Sequence, residues 1–187
     1  MGGKLRSVAL VTVLALVGFV SLTSPTWAQI DWFLGHRFAD VKTISTAQLA
    51  LLLLQDKQQP RASPPVLLDI RSAEEFAVSR IPGARHVPPD TVIDFAEREL
   101  ASLDRSQPIV VYCSVGVRSA AAARELQFLG FSQVKNLRGS LFQWANEGRV
   151  IKAGVPGGPE PQVSSGVAVH PYNRFWGRLL RTPERPG

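Results

Sequence analysis

The segment VVYCSVGVRS contains the only cysteine of the 187-residue chain, and it places Cys113, Gly116 and Arg118 in a Cys-x-x-Gly-x-Arg pattern. A glycine lets the backbone between a strand and a helix fold tightly, so that its N–H groups turn inward toward an anion. The following helix N-terminus adds partial positive charge, and Arg118 adds a full charge. All three effects favour thiolate over thiol. The pattern therefore predicts a reactive cysteine rather than an inert core residue.

The elements around this loop alternate between strand and helix patterns. Ser45 or Thr46 is suited to cap the first helix, Ser72 the second, and Gly130 ends the helix after Cys113. The predicted strands are VKTIST, VLLDI, PIVVYC and QVKNLRG, with a short one in IPGARHVP, and the predicted helices are AQLALLLLQDK, SAEEFAVSR, DTVIDFAERELASL, SAAAARELQFLG and SLFQWANEG. This order predicts an α/β fold with an open, mainly parallel sheet and helices on both faces.

The strand PIVVYC is the most β-branched run and is predicted to be central and buried. Ligands of such sheets bind beyond the carboxyl ends of the strands, which is where Cys113 falls. Asp69 and Arg71 end the second strand. They are interpreted as supporting residues that tie loops together near the site, the alternative being a surface ion pair worth less than about 1 kcal/mol.

Residues 1–28 have the layout of a secretory signal peptide. Lys4 and Arg6 precede an uncharged, largely apolar stretch from Val8 to Leu22, and Ala28 is a small residue suited to the position before cleavage. Cleavage would export the protein to the periplasm or an equivalent lumen and lower its net charge from +6 to +4. An uncleaved segment would instead anchor the chain in the membrane, facing that compartment.

The remaining chain divides into a lead-in (29–41), one domain (42–153), and a Pro/Gly-rich linker with a basic, aromatic tail (154–187). The tail is interpreted as loosely packed rather than as a docking helix. Basic residues are scattered apart from four arginines in the tail, so the sequence predicts no nucleic-acid binding. The sequence has no Cys/His cluster, so it predicts no metal site. A lone cysteine in an oxidising compartment has no internal disulfide partner.

Three segments resemble rhodanese-type sulfurtransferases. CSVGVRS is similar to the active-site loop of their single-domain members. VLLDIRSAEEFAVSRIPGARHVP is similar to the family's Asp-x-Arg segment and Ile-Pro-Gly-Ala turn, and RELQFLGFSQVKNLRGSLFQW to its closing stretch. The resemblance runs from about Lys42 to Ala153. It departs at Arg80, where many members place a histidine.

The resemblance implies a two-step sulfur transfer at Cys113. The thiolate would take sulfane sulfur from thiosulfate or a persulfide donor, and a thiol, cyanide or a protein acceptor would then remove it from the Cys113 persulfide. Backbone N–H groups of the loop would hold the anionic persulfide, with Arg118 fixing the loop, and no metal or organic cofactor is implied. The residues of this substrate-binding loop are Ser114, Val115, Gly116, Val117, Arg118 and Ser119.

Three other classes of function fit the sequence less well. Cysteine phosphatases and arsenate reductases of a related scaffold separate Cys and Arg by five residues, whereas this chain has four, which suits one sulfur atom better than a tetrahedral oxyanion. A non-enzymatic module that binds a partner or relays persulfide is the alternative of a different class. A thiol redox sensor would lack a second cysteine to resolve the oxidised form.

Overall fold

A computed structural model describes most of the chain between Ser24 and Arg181. Three parts of the sequence predictions lie wholly or largely outside it, namely the signal peptide up to residue 23, most of the linker and the end of the tail. The described residues are 24–59, 64–154, 163–164 and 167–181. Within these ranges no helix is long and apolar enough to cross a membrane.

The described residues form eight strands and six α-helices. The strands are β1 Thr43–Ile44, β2 Val66–Asp69, β3 Ser79–Arg80, β4 Arg85–His86, β5 Ile109–Tyr112, β6 Val134–Leu137, β7 Ile151–Ala153 and β8 Val163–Ser164. The helices are α1 Trp27–Arg37, α2 Thr46–Gln58, α3 Ala73–Val78, α4 Val92–Glu99, α5 Val117–Phe128 and α6 Ser140–Asn146. Two 3₁₀ turns cover Pro89–Thr91 and Trp176–Leu179.

The main sheet has the strand order β1-β6-β5-β2-β4, and all its neighbouring strands are parallel. A second, three-stranded sheet in the order β3-β7-β8 is antiparallel. This architecture confirms the predicted mainly parallel α/β fold. The predicted central strand is β5, which pairs with both β2 and β6.

Side chains of β5 alternate between two cores, as the twofold period of a strand requires. Ile109 and Val111 pack beneath α4 and α5, while Val110 and Tyr112 pack with residues of α2 and α6. All four are at most 2% exposed, and burial of each apolar side chain contributes about 1.5–3 kcal/mol. Helices thus cover both faces, and the strand holds Cys113 at its carboxyl end.

The helix boundaries follow the predicted capping residues. Ser45 caps α2 through the Gln48 amide, and Ser72 caps α3 through the Glu75 amide, each in a reciprocal capping box. Gly130 ends α5 with φ +91°, a conformation that favours glycine.

The lead-in forms a helix that the sequence analysis does not assign. Thr26 caps α1, while Ile30 and Leu34 are buried, so the predicted cleavage point after Ala28 falls in the first turn of this helix. Trp32 and Phe33 of the same helix are exposed. Because large apolar residues lie on both sides of α1, the sequence shows no single apolar face from which a helix could be predicted.

The tail does not follow the prediction of loose packing over residues 167–181. Leu179 is buried, and its carbonyl accepts a hydrogen bond from Asn146 Nδ2 at 2.7 Å. The Arg181 amide donates to Asn146 Oδ1 at 2.8 Å. Both bonds fasten this segment to the end of α6. We call residues 167–181 the C-terminal segment.

Candidate active site

Cys113 lies directly after β5 and is 1% exposed. Its thiol accepts a hydrogen bond from the Gly116 amide, with 3.1 Å between nitrogen and sulfur. Gly116 has φ +108°, a conformation that residues with a side chain rarely adopt. The loop therefore curls back so that at least one backbone N–H points at the sulfur.

The helix after the loop begins at Val117, two residues earlier than the pattern suggests, so Arg118 and Ser119 lie in its first turn. The first N–H groups of a helix have no partner within it and carry partial positive charge. The Ser119 hydroxyl donates to Asn136 Oδ1 at 2.7 Å, and Asn136 Nδ2 donates to the Gly116 carbonyl at 2.9 Å. These bonds fix the start of α5 against β6.

A second helix start holds the other side of the loop. The carbonyls of Cys113 and Ser114 accept hydrogen bonds from the amides of Leu141 and Phe142, each at 3.1 Å, in the first turn of α6. The Cys113 amide in turn donates to Ser140 Oγ at 3.1 Å. The loop backbone is thus tied at its beginning as well as at its end, which preorganises the thiol.

Arg118 is held by Glu75 of α3. Its Nη1 and Nη2 donate to the two carboxylate oxygens of Glu75 at 2.7 and 2.9 Å, and Nη2 also donates to Ser114 Oγ at 3.0 Å. The Ser114 hydroxyl donates to Glu75 at 2.6 Å. Glu75 is thus the acidic partner of Arg118. Burial opposes ionisation of Glu75, but the bonds from Arg118 and Ser114 outweigh it and lower its pKa to about 2.

The surroundings of Cys113 favour the thiolate. Burial of the thiol raises its pKa, yet the Arg118 charge and the backbone N–H groups of Ser119 and Gly116 more than offset that effect, so the Cys113 pKa is lowered. A larger thiolate fraction at neutral pH makes Cys113 a better nucleophile.

Asp69 and Arg71 form a fully buried ion pair. Arg71 Nε donates to Asp69 Oδ1 at 2.8 Å and Nη2 to Oδ2 at 2.6 Å, and both side chains are 0% exposed. Arg71 also donates to the carbonyl of Ser79. Arg71 therefore links the chain before α3 to Ser79 directly after it, and α3 is the helix that presents Glu75 to Arg118. Their contacts are with the ends of α3 and not with the sulfur, and their supporting role stays a prediction.

Sequence reasoning missed Ser140, Asn136 and Tyr172, whose ring lies 4.7 Å from the Arg118 guanidinium carbon. Asn136 is a polar residue within the otherwise apolar inner positions of β6, and Ser140 follows a glycine before a helix, so both left a weak signal. Nothing in the sequence connects Tyr172 with Arg118, since 53 positions separate them along the chain.

Comparison with known proteins agrees with the fold and the loop. A family model described as the rhodanese-like domain matches residues 46–147, which is more than half of the chain. The protein therefore belongs to the rhodanese-like domain family, as the three segments suggested.

Named relatives are sulfurtransferases. The chain is 36% identical over 90 residues to the thiosulfate sulfurtransferase GlpE of Pseudomonas aeruginosa, covering 48% of this chain and 78% of GlpE. It is 34% identical over 98 residues to UBA4 of Meyerozyma guilliermondii, named an adenylyltransferase and sulfurtransferase; these residues are 50% of this chain and 23% of UBA4. The chain thus spans about a quarter of the length of UBA4. These relatives support a sulfurtransferase of the rhodanese type.

A solved structure shows the same fold. The crystal structure of a thiosulfate sulfurtransferase from Pseudomonas aeruginosa superposes with a TM-score of 0.53 at 24% identity, covering 68% of this chain and 23% of that one.

Replacing Arg118 by Met should reduce the reactivity of Cys113 with iodoacetamide at pH 7. The variant removes the charge that favours the thiolate and leaves the Glu75 carboxylate unpaired, so both changes raise the Cys113 pKa. We expect alkylation to slow by on the order of tenfold and its pH profile to move to higher pH. Arg138→Met is the matched control, because Arg138 is 62% exposed and pairs with Asp31. An unchanged pH profile in Arg118→Met would contradict this role.

Proposed function

We propose that the protein transfers sulfane sulfur through a persulfide on Cys113. The observation that carries the proposal is the setting of the Cys113 thiol. It accepts a hydrogen bond from the Gly116 amide inside a loop with four residues between Cys and Arg, and its pKa is lowered. A loop of this length suits one additional sulfur atom better than a tetrahedral oxyanion.

In the first step, the Cys113 thiolate attacks the sulfane sulfur of the donor. A new S–S bond forms as the donor's S–S bond breaks, and the departing sulfite or thiolate keeps the electron pair. In the second step, a thiolate or cyanide attacks the outer sulfur and restores the Cys113 thiolate. Each sulfur that leaves is matched by one that arrives, so the cycle needs no further oxidant or reductant.

The charge balance of the site favours a donor with little charge beside the reacting sulfur. Nη1 and Nη2 of Arg118 already donate to both carboxylate oxygens of Glu75, so these donors are engaged although the charge of the guanidinium still favours the thiolate. Thiosulfate carries its anionic sulfonate directly on the sulfane sulfur and would depend on a direct contact with such a donor. A small alkyl persulfide such as cysteine persulfide can react as its neutral hydropersulfide form, whose outer sulfur carries no anionic group.

A comparison of donors tests this proposal. With cyanide as acceptor, we expect kcat/KM for cysteine persulfide to exceed that for thiosulfate by at least about tenfold, the cost of one charge-assisted contact. Turnover with neither donor would overturn the proposed activity, and a preference for thiosulfate would overturn the charge argument alone.

Export of the domain stays a prediction that depends on residues 1–28. We propose that it acts in the periplasm or an equivalent lumen. In that compartment a cysteine without an internal partner can persist as a working thiol only if it is sheltered, and the burial of Cys113 meets this condition.

A further inference from the structure

A third apolar cluster lies over the active-site loop and is built largely from segments outside the family match at residues 46–147. It joins α1 and the C-terminal segment to the loop and to the starts of α5 and α6. Its buried members are Ile30, Leu34, Val115, Ala120, Phe142 and Leu179. The two flanking segments thus meet on the same loop that carries Cys113.

Contacts of α1 reach the loop itself. Val115 is only 6% exposed and packs in this cluster with Leu34. A Cβ placed on Gly116 would lie 3.4 Å from Leu34 Cδ1, so α1 approaches the loop backbone closely. One side of the loop is therefore closed by α1.

The C-terminal segment presents Tyr172 to Arg118. The guanidinium carbon lies 4.7 Å from the ring centre, which is a cation–π distance. Tyr172 has φ +62°, uncommon for a residue with a side chain, and its amide donates to His170 Nδ1 at 3.1 Å. The turn after it is held by Asn173 Oδ1, which accepts from the amides of Phe175 and Trp176, each at 3.0 Å. The ring is thus held in place over Arg118 by a specific turn.

We infer that Tyr172 and the C-terminal segment form one wall of the entrance to Cys113 and select donors and acceptors by size. The inference rests on the proposed function for its substrates, which would be persulfides and thiols about as small as cysteine. Glutathione-sized and protein thiols would react slowly, because they require the C-terminal segment to move. Tyr172 is a specificity-determining residue in this account and takes no part in the transfer of sulfur.

Alkylation of Cys113 tests the wall without any sulfur donor. For each thiol we compare the rate with iodoacetamide to the rate with N-phenylmaleimide. We expect this ratio to be much higher for Cys113 in the full chain than for free cysteine. Tyr172→Asn removes the ring while keeping a residue that tolerates positive φ. In this variant we expect the ratio of the maleimide rate to the iodoacetamide rate to rise about fivefold. A change of this factor corresponds to the loss of one partly exposed cation–π contact.

Two controls make the result specific. Tyr172→Phe keeps the ring and should retain the wild-type ratio, and Phe128→Ala removes an aromatic ring that is 83% exposed on α5. Because both reagents react with the same thiolate, their ratio cancels any change in the Cys113 pKa. Equal rate ratios in wild type and Tyr172→Asn would contradict the role of Tyr172 in limiting access to Cys113. If the ratio changes but the protein accepts sulfur from no donor, the role of Tyr172 is supported and the proposed function is contradicted.

Discussion

The Cys113→Ser variant should lose sulfur transfer to cyanide by at least about a thousandfold, because removing a covalent nucleophile leaves only substrate binding. A serine hydroxyl is close in size to the thiol, but it stays protonated at neutral pH and cannot form a persulfide. The Gly116 amide would then donate to a neutral oxygen in place of the sulfur. The measurement is kcat/KM with cysteine persulfide.

The fold of this variant should remain intact, since the chain contains no disulfide that involves Cys113. Thermal unfolding followed by circular dichroism checks this point. Residual turnover above a few per cent in a folded Cys113→Ser protein would show that another group carries the sulfur.

Replacing Glu75 by Gln should destabilise the protein and slow sulfur transfer together. The carboxylate accepts bonds from Arg118 and Ser114 and is 2% exposed, whereas Arg118 is 25% exposed. A neutral amide cannot accept both arms of the guanidinium. The lowering of the Glu75 pKa from 4.5 to about 2 corresponds to at most about 3 kcal/mol of folding stability at pH 7. Urea unfolding of wild type and variant measures the difference.

The pH dependence of that difference has a definite sign. The folded-state pKa of Glu75 lies below its unfolded value, so its stabilisation is complete above about pH 4.5 and is lost as pH falls toward 2. The difference in free energy of unfolding between wild type and Glu75→Gln should therefore be smaller at pH 3 than at pH 7. Glu99→Gln is the matched control, since the Arg85–Glu99 pair is 41% and 57% exposed and should contribute less than about 1 kcal/mol. A gap that stays constant from pH 7 to pH 3 would contradict the assignment.

Local signals account for the parts of the fold that could be predicted from sequence. The capping boxes at Ser45 and Ser72 act within one helical turn, and the buried run of β5 is continuous in the chain. The left-handed turn at Gly116 likewise depends on neighbouring residues. Periodicity and turn chemistry are sufficient for features of this range.

The parts that were missed depend on contacts between distant segments. Helix α1 is stabilised by packing on Val115 and Phe142, and the C-terminal segment by Asn146 of α6. Helix α1 has a local capping box at Thr26 but no single apolar face, and the C-terminal segment forms only one 3₁₀ turn. Tertiary contacts rather than local preference hold both in place. The partnership of Tyr172 with Arg118 is of the same kind and could be found only in three dimensions.

The intact mass of the chain under non-reducing conditions tests the central claim most directly. After incubation with cysteine persulfide or thiosulfate, we predict a gain of one sulfur atom located on Cys113, and its removal by cyanide with release of thiocyanate. No gain of sulfur from cysteine persulfide, thiosulfate or polysulfide would contradict the persulfide mechanism.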